Sequence, residues 1–299
     1  VVVFRRPGAP CAALAGVPCT FVEGDLFSVD DLARAMDGCE AVLHMAGDTS
    51  WFRRDAARVT QVNVGGTEAV LDAMKRAGVA RGVLTSSISA IGVSEDPGRP
   101  ADEDTPWNWP EGFAYPRSKR LAEERWLDPA RGLATSSVLP ATIFGPGDSR
   151  MTTGVIFRKV AARSFPRLPC GGFSGVDVRD VAVGHLLALE SGRPGRRYVL
   201  GGFNVRNEEL VERVAAALGV APPKLSLSPR LVSAYERVAR AVEWTGLRLD
   251  VAAGHLWCMN RYVYHSWKRA ARELGFEPRS MEATLADSIA WYRKEGLLR

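Results

Sequence analysis

The chain has 299 residues, 46% hydrophobic and 24% charged, a globular composition with room for one large domain or two closely joined smaller ones. Its net charge of +5 comes from scattered arginines, which suits an anionic small ligand and argues against a nucleic-acid face built from a basic block. Cys11, Cys19, Cys39, Cys170 and Cys258 form no CxxC pair and no metal spacing with the four histidines, so neither zinc nor a disulfide framework is indicated; no apolar run is long enough to cross a bilayer, and a cytoplasmic location is expected.

In chain order, Val1-Val2-Val3-Phe4 reads as a buried strand already under way, so the natural N-terminus, with a first strand, is expected to be missing. Further strands are predicted at 20–23, 41–44, 82–85 and 136–139. Between the second and third strands, Ser28 caps a short helix with Asp31 three residues on, and Gly38 ends it. Helices follow at 63–77, closed by Gly78, and at 115–126, where Leu121 and Ala122 favour helix. Strands alternating with helices imply an α/β fold with a doubly wound parallel sheet. After Pro140 the alternation stops, and Gly145-Pro146-Gly147 forms a turn. Short strands at 176–178 and 198–200 are expected to return toward the first half, 208–218 reads as a helix, and Pro222-Pro223 marks a loop before a helical C-terminal region. Apolar positions of 231–242 alternate with Arg237 and Arg240; packing on the body of the protein is the favoured reading, a membrane surface the alternative. The expected division is a dinucleotide-binding domain at 1–150, with 176–202 returning to it, and a substrate subdomain at 151–175 and 203–299.

Tyr115 and Lys119 stand four apart on one predicted helix and so share a face. A phenol, with an ordinary pKa near about 10, is a poor acid at neutral pH; a neighbouring ammonium favours its anion and brings proton exchange within reach. Thr85-Ser86-Ser87 closes an apolar strand and sets hydroxyls at the carboxyl edge of the sheet, where open α/β folds bind ligands and where Ser87 can donate to a developing oxyanion.

Val83-Leu84-Thr85-Ser86-Ser87 through Gly92, together with Tyr115-Pro116-Arg117-Ser118-Lys119, resembles the extended branch of the short-chain dehydrogenase/reductase family, the epimerase/dehydratase type. Gly24-Asp25-Leu26, His44-Met45-Ala46-Gly47, Asn63-Val64-Gly65-Gly66-Thr67, Gly145-Pro146-Gly147 and Val176-Asp177-Val178-Arg179-Asp180 fall in the order that family shows. The resemblance implies that Ser87 polarises a substrate carbonyl, Tyr115 moves the proton, and Lys119 holds the nicotinamide ribose and tunes the tyrosine. It implies Asp25 and Leu26 beside the adenine. Ala46, Gly47, Asn63 and Thr85 would line the cofactor channel, with Leu139, Pro140 and Ala141 beside the nicotinamide; core packing is the competing account of Leu26 and Leu139. Arg6 occupies the position where an arginine accepts the 2′-phosphate of NADP, so NADP(H) is expected and NAD(H) is the alternative. The departure from the family is the glycine-rich turn that lays the pyrophosphate on a helix N-terminus, which the sequence does not contain.

Within the family the sequence resembles dihydroflavonol-reductase-like ketone reductases most closely, through Arg6-Pro7-Gly8, Thr85-Ser86-Ser87 and the 176–180 segment. This implies reduction of a small-molecule ketone or aldehyde; nucleotide-sugar epimerization and a non-catalytic NADP-binding sensor or scaffold are the alternatives. Trp107 and Trp109 either wall the substrate or staple their loop to the core, the second being favoured. A homodimer is a family expectation.

Overall fold

A computed structural model describes all residues except 9–13, 95, 167, 169, 248 and 299. β1 (Val2–Arg5) and β2 (Thr20–Glu23) pair in parallel. Ser28 Oγ accepts from the Asp31 amide at 3.2 Å and starts α1 (Val29–Ala35), and Gly38 turns the chain with φ of +71°, as the capping pattern predicts. β3 (Ala41–His44) is followed by α2 (Ala56–Thr60), one π-helical turn over Gln61–Gly65, and α3 (Gly66–Ala77), which stops at Gly78 with φ of +71°. β4 (Arg81–Thr85), α4 (Ala114–Trp126) and β5 (Ala134–Pro140) complete the first half.

The second half contains β6 (Thr142–Phe144), α5 (Gly154–Ala161), β7 (Gly172–Asp177), α6 (Val178–Ser191) and β8 (Arg197–Leu200). Then come β9 (Phe203–Arg206), α7 (Asn207–Leu218), α8 (Pro229–Trp244), α9 (Ala253–Met259), β10 (Tyr262–Val263), α10 (Lys268–Leu274) and α11 (Met281–Lys294). The main sheet is parallel throughout, in the order β3-β4-β5-β8. A second sheet runs β10-β7-β6, with β9 antiparallel to β7. The β1–β2 pair stands as a separate sheet. The architecture is the α/β fold that the alternation implies.

Two expectations about the second half separate here. Residues 198–200 do return to the main sheet, as part of β8 beside β5. The 176–178 stretch does not: its first two residues end β7 in the second sheet, and Val178 begins α6. The cause is Asp177, whose carboxylate accepts from the Arg179 amide at 2.9 Å and caps the helix. An apolar pattern of three residues does not reveal that switch.

Side chains leave a strand on alternate faces, so the main sheet is buried on both. Val83 packs with Val138, Val199 and Leu200 against Val181 and Ala188 of α6 and Leu274 of α10. Leu84, one residue on, packs with Leu71 and Met74 of α3 and Trp126 of α4. Each such side chain contributes roughly 1.5–3 kcal/mol, and the sandwich holds the carboxyl end of β4 and the first turn of α4 rigidly near one another. A smaller core under the second sheet joins Phe144, Phe157, Leu210, Val214, Leu285 and Tyr292.

Candidate active site

β4 ends at Thr85, and Ser87 caps the short 3-10 turn Ile88–Ala90, its Oγ accepting from the Ser89 amide at 3.1 Å. Tyr115 lies in the first turn of α4, followed by Pro116, whose missing N–H costs nothing there because first-turn amides have no helical acceptor. Lys119 is one turn on, 7% exposed, and its Nζ donates to the Thr85 carbonyl at 2.7 Å. The Ser87 hydroxyl is near enough to the Tyr115 phenol to favour its anion. Serine, phenol and ammonium therefore meet at the carboxyl edge of the main sheet. The positive end of the helix dipole, at the first turn of α4, favours negative charge at the phenol oxygen.

Electrostatics differ from expectation in one respect. Burial pushes the Tyr115 phenol up from its ordinary value, with the Ser87 hydroxyl working against it. The lowering expected from Lys119 does not arise, because the lysine, itself drawn down by burial, has lost its charge at the pH where the phenol ionises, and desolvation dominates at the phenol. Tyr115 is thus a neutral O–H at pH 7, ready to donate. Lys119 is itself drawn down to about 8 by burial, opposed by the Glu123 carboxylate one further turn along α4.

Asn63 is aimed inward by the π-helical turn, an irregularity that often marks functional positions. Its Oδ1 accepts from the Asp48 amide at 2.7 Å, and its Nδ2 donates to the Asp48 carbonyl at 2.9 Å and to Ser118 Oγ at 2.8 Å. That clamp fixes the Ala46–Gly47 turn against α4. A Cβ at Gly47 would lie 3.1 Å from Asn63 Oδ1 and 3.8 Å from Lys119 Nζ, so glycine leaves bare backbone beside the ammonium, the close approach a flat ligand needs. Thr85 Oγ1 pairs with His185 Nε2 at 2.6 Å, and His185 Nδ1 with the Val181 carbonyl at 2.7 Å.

The remaining residues implied for the cofactor are less open. Asp25 is engaged at the start of α1, its carboxylate accepting from the Phe27 amide at 3.1 Å. Leu26 packs on the bare Cα of Gly66 and joins the core beside α3. Leu139 is 0% exposed and Ala141 6%, both in the main core, and Pro140 is buried with them. Arg6 is exposed just beyond β1, while Arg5 pairs with Glu23 at 2.6 Å.

Trp51 supplies what the sequence reading missed. Its ring centroid lies 5.2 Å from that of Tyr115, 5.1 Å from His255 and 5.8 Å from Trp109. It sits on Gly254, where a Cβ would meet the indole at 2.4 Å. Phe113 and Trp257 extend the aromatic wall, with Trp257 centred 5.2 Å from Trp109. Trp109 does staple its loop, its Nε1 donating to the Ile91 carbonyl at 2.8 Å. Trp107 lies at the margin of the cluster under the Arg120 guanidinium. The signal for Trp51 was local only, a tryptophan shortly after His44-Met45-Ala46-Gly47; its partners His255 and Trp257 come from the far end of the chain. Among the described residues, no cluster of side chains could hold a metal ion.

Residues 13–192 match the 3-beta hydroxysteroid dehydrogenase/isomerase family. The chain belongs to that family. It is therefore an enzyme of the NAD(P)-dependent oxidoreductase and epimerase/dehydratase group, as the ordered motifs imply. It is 33% identical to a candidate dihydroflavonol 4-reductase of Synechocystis sp. over 96% of this chain and 85% of that one. It is 31% identical to the sterol demethylase protein B of Methylococcus capsulatus, over 99% of this chain and 91% of that one. Among solved structures, that of gox2253 superposes with a TM-score of 0.86 at 32% identity, covering 99% and 91% of the two chains. A nucleoside-diphosphate-sugar epimerase from Pseudomonas aeruginosa, 24% identical with a TM-score of 0.80 over 100% and 90% of the chains, shares the fold.

Proposed function

We propose that this family member is an NADP(H)-dependent reductase of a ketone or aldehyde borne on an apolar, ring-containing molecule, with Tyr115 as proton donor. The observation that carries the reading is the neutral Tyr115 phenol, influenced by the Ser87 hydroxyl and with its ring 5.2 Å from the tilted indole of Trp51. A bound nicotinamide supplies the hydride. The chain's own residues do the rest. Ser87 and Tyr115 both donate to the carbonyl oxygen, and the negative charge that grows there draws the phenol proton across. The first turn of α4 stabilises the phenolate left behind, and a cationic Lys119 adds to that field. Lys119 and the Gly47 backbone, braced by Asn63, fit the ribose side of the cofactor, and the exposed Arg6 guanidinium fits a 2′-phosphate. The wall of Trp51, Phe113, Trp109 and Trp257 excludes water and offers faces to a ring system.

The same atoms serve oxidation of a secondary alcohol, and one observation favours testing it. A relative 30% identical over 93% of this chain is the decarboxylating sterol-4-alpha-carboxylate 3-dehydrogenase of Saccharomyces cerevisiae. The experiment is a spectrophotometric screen of apolar ring ketones with NADPH and of the matching alcohols with NADP, repeated on Tyr115→Phe. Turnover should fall by at least a hundredfold in the variant while NADPH binding, read by fluorescence, is kept. Loss of neither, or a redox-neutral conversion of a nucleotide sugar, removes this reading.

A further inference from the structure

α8 presents an apolar stripe to solvent. Its buried residues are Val232, Ala239 and Glu243, so packing on the protein accounts for one face. On another, Leu231, Tyr235 and Val238 follow one another at i, i+4 and i+7 and are 59%, 42% and 55% exposed. Leu225 before the helix, Trp244 at its end and Leu247 beyond it are at least 60% exposed. Isolated apolar side chains on a surface need no explanation; three in succession along one helix face make a stripe, and such stripes mark contact.

The charges around the stripe select the partner. Lys224, Arg230 and Arg237 are exposed. The carboxylates of the helix are turned elsewhere: Glu236 pairs with Arg240, and Glu243 is buried and accepts from the Ala253 amide at 2.9 Å. Asp250 is the exposed acid of the stretch, beyond the helix. Two copies docked through this face would bring cations against cations with no helix carboxylate to answer them. An anionic lipid surface answers them with phosphate and carboxylate headgroups, takes the aliphatic stripe among its acyl chains, and accommodates Tyr235 at the interfacial level.

We propose that α8 docks this enzyme on anionic bilayers through this stripe. The helix belongs to the layer that roofs the site. The Arg53 guanidinium stacks 3.4 Å from the Trp244 ring centroid, and Arg240 lies 4.9 Å from that of Phe113. α9, packed on α8 through Ala239, Ala253 and Leu256, sets His255 and Gly254 against Trp51, and Trp51 against Tyr115. The docking stands independently of the proposed reaction.

The test is flotation of the whole protein with vesicles of phosphatidylcholine alone or mixed with phosphatidylserine. The protein should float with the mixed vesicles, and salt should weaken the binding. The double variant Leu231→Glu/Val238→Glu should bind at least tenfold less, and Arg230→Glu/Arg237→Glu should lose the preference for phosphatidylserine. Both should keep wild-type circular dichroism and wild-type turnover of any water-soluble ketone, so a failure to float leaves the reductase reading intact. Absence of flotation, flotation unchanged by the Leu231/Val238 variant, or a change of oligomeric state in that variant without a change in flotation overturns the proposal.

Discussion

Lys119 shows how much a site residue depends on its surroundings. An exposed lysine gives up its proton only near pH ~10.4, whereas burial brings this one down to about 8. It is therefore cationic at pH 7 and loses its charge across the next unit. If its charge supports proton transfer from Tyr115, kcat/KM should fall as pH rises through about 8. Lys119→Arg, whose guanidinium does not titrate there, should remove that alkaline limb even at reduced overall rate; a wild-type profile flat to pH 10 would count against the role. Trp51 carries the complementary prediction. Trp51→Ala removes the ring over Tyr115, so KM for a bulky ring ketone should rise roughly tenfold to a hundredfold, the equivalent of about 1.4–2.8 kcal/mol, with little change for a small aliphatic ketone. Equal losses on both would assign Trp51 to folding. Serine, tyrosine and lysine were legible beforehand because each sits at a fixed place on a single element. Trp51, His255 and Gly254 were not, because their meeting depends on how a C-terminal helix folds back over the first half. The direction of the Tyr115 shift was also illegible, since spacing shows the neighbouring amine but not the burial that raises the phenol and lowers the amine.

Elements that announce their own ends were the readable part of the fold. Ser28 with Asp31, Gly38 and Gly78 mark helix boundaries through local chemistry, and the strands of the main sheet are apolar runs flanked by turns. The π-helical turn at Asn63 was not readable, because its extra residue is invisible in a helical pattern; of β7 only the end, at Val176 and Asp177, was, because its strand character stops at a capping aspartate. Gly92 was singled out only as the end of the serine segment. The structure gives the reason for a glycine there: a Cβ would lie 1.9 Å from the Pro106 carbonyl oxygen and 3.1 Å from Thr105 Cγ2. The obstacle is backbone, so no rotamer change relieves it. Gly92→Ala should force the 101–109 loop outward, break the 3.3 Å bond from the Gly92 amide to the Thr105 carbonyl and cost about 1–3 kcal/mol. Urea denaturation measures the loss, and an unchanged midpoint would show that the loop moves freely.

Across the whole molecule, stability must depend on pH through side chains that the core holds in one protonation state. His44, His185 and His265 are 4%, 4% and 0% exposed. Burial drives all three below the ordinary histidine value, to about 3 for His44 and about 4 for His265. A folded-state value below the unfolded one means that, under pH 6.5, the unfolded chain takes up protons that the native state refuses. Stability is then present above that pH and lost below it, at ~1.4 kcal/mol per pH unit for each group. Glu103 and Glu123 act in the opposite sense: burial raises both, so the native state binds their protons first and gains stability as pH falls. With up to three histidine protons against at most two carboxyl protons, the unfolded chain binds at most three more, and the net slope is at most about 4 kcal/mol per unit. Against a total of about 5–15 kcal/mol, that slope destabilises the fold steeply within two units below neutrality. Urea midpoints should stay nearly level from pH 7.5 to about 6.5 and decline from there to pH 5, and His44→Gln, which keeps a polar partner for Thr67 without a titrating ring, should flatten the decline. A midpoint constant over that range would mean that the buried histidines become solvated before the rest of the structure opens.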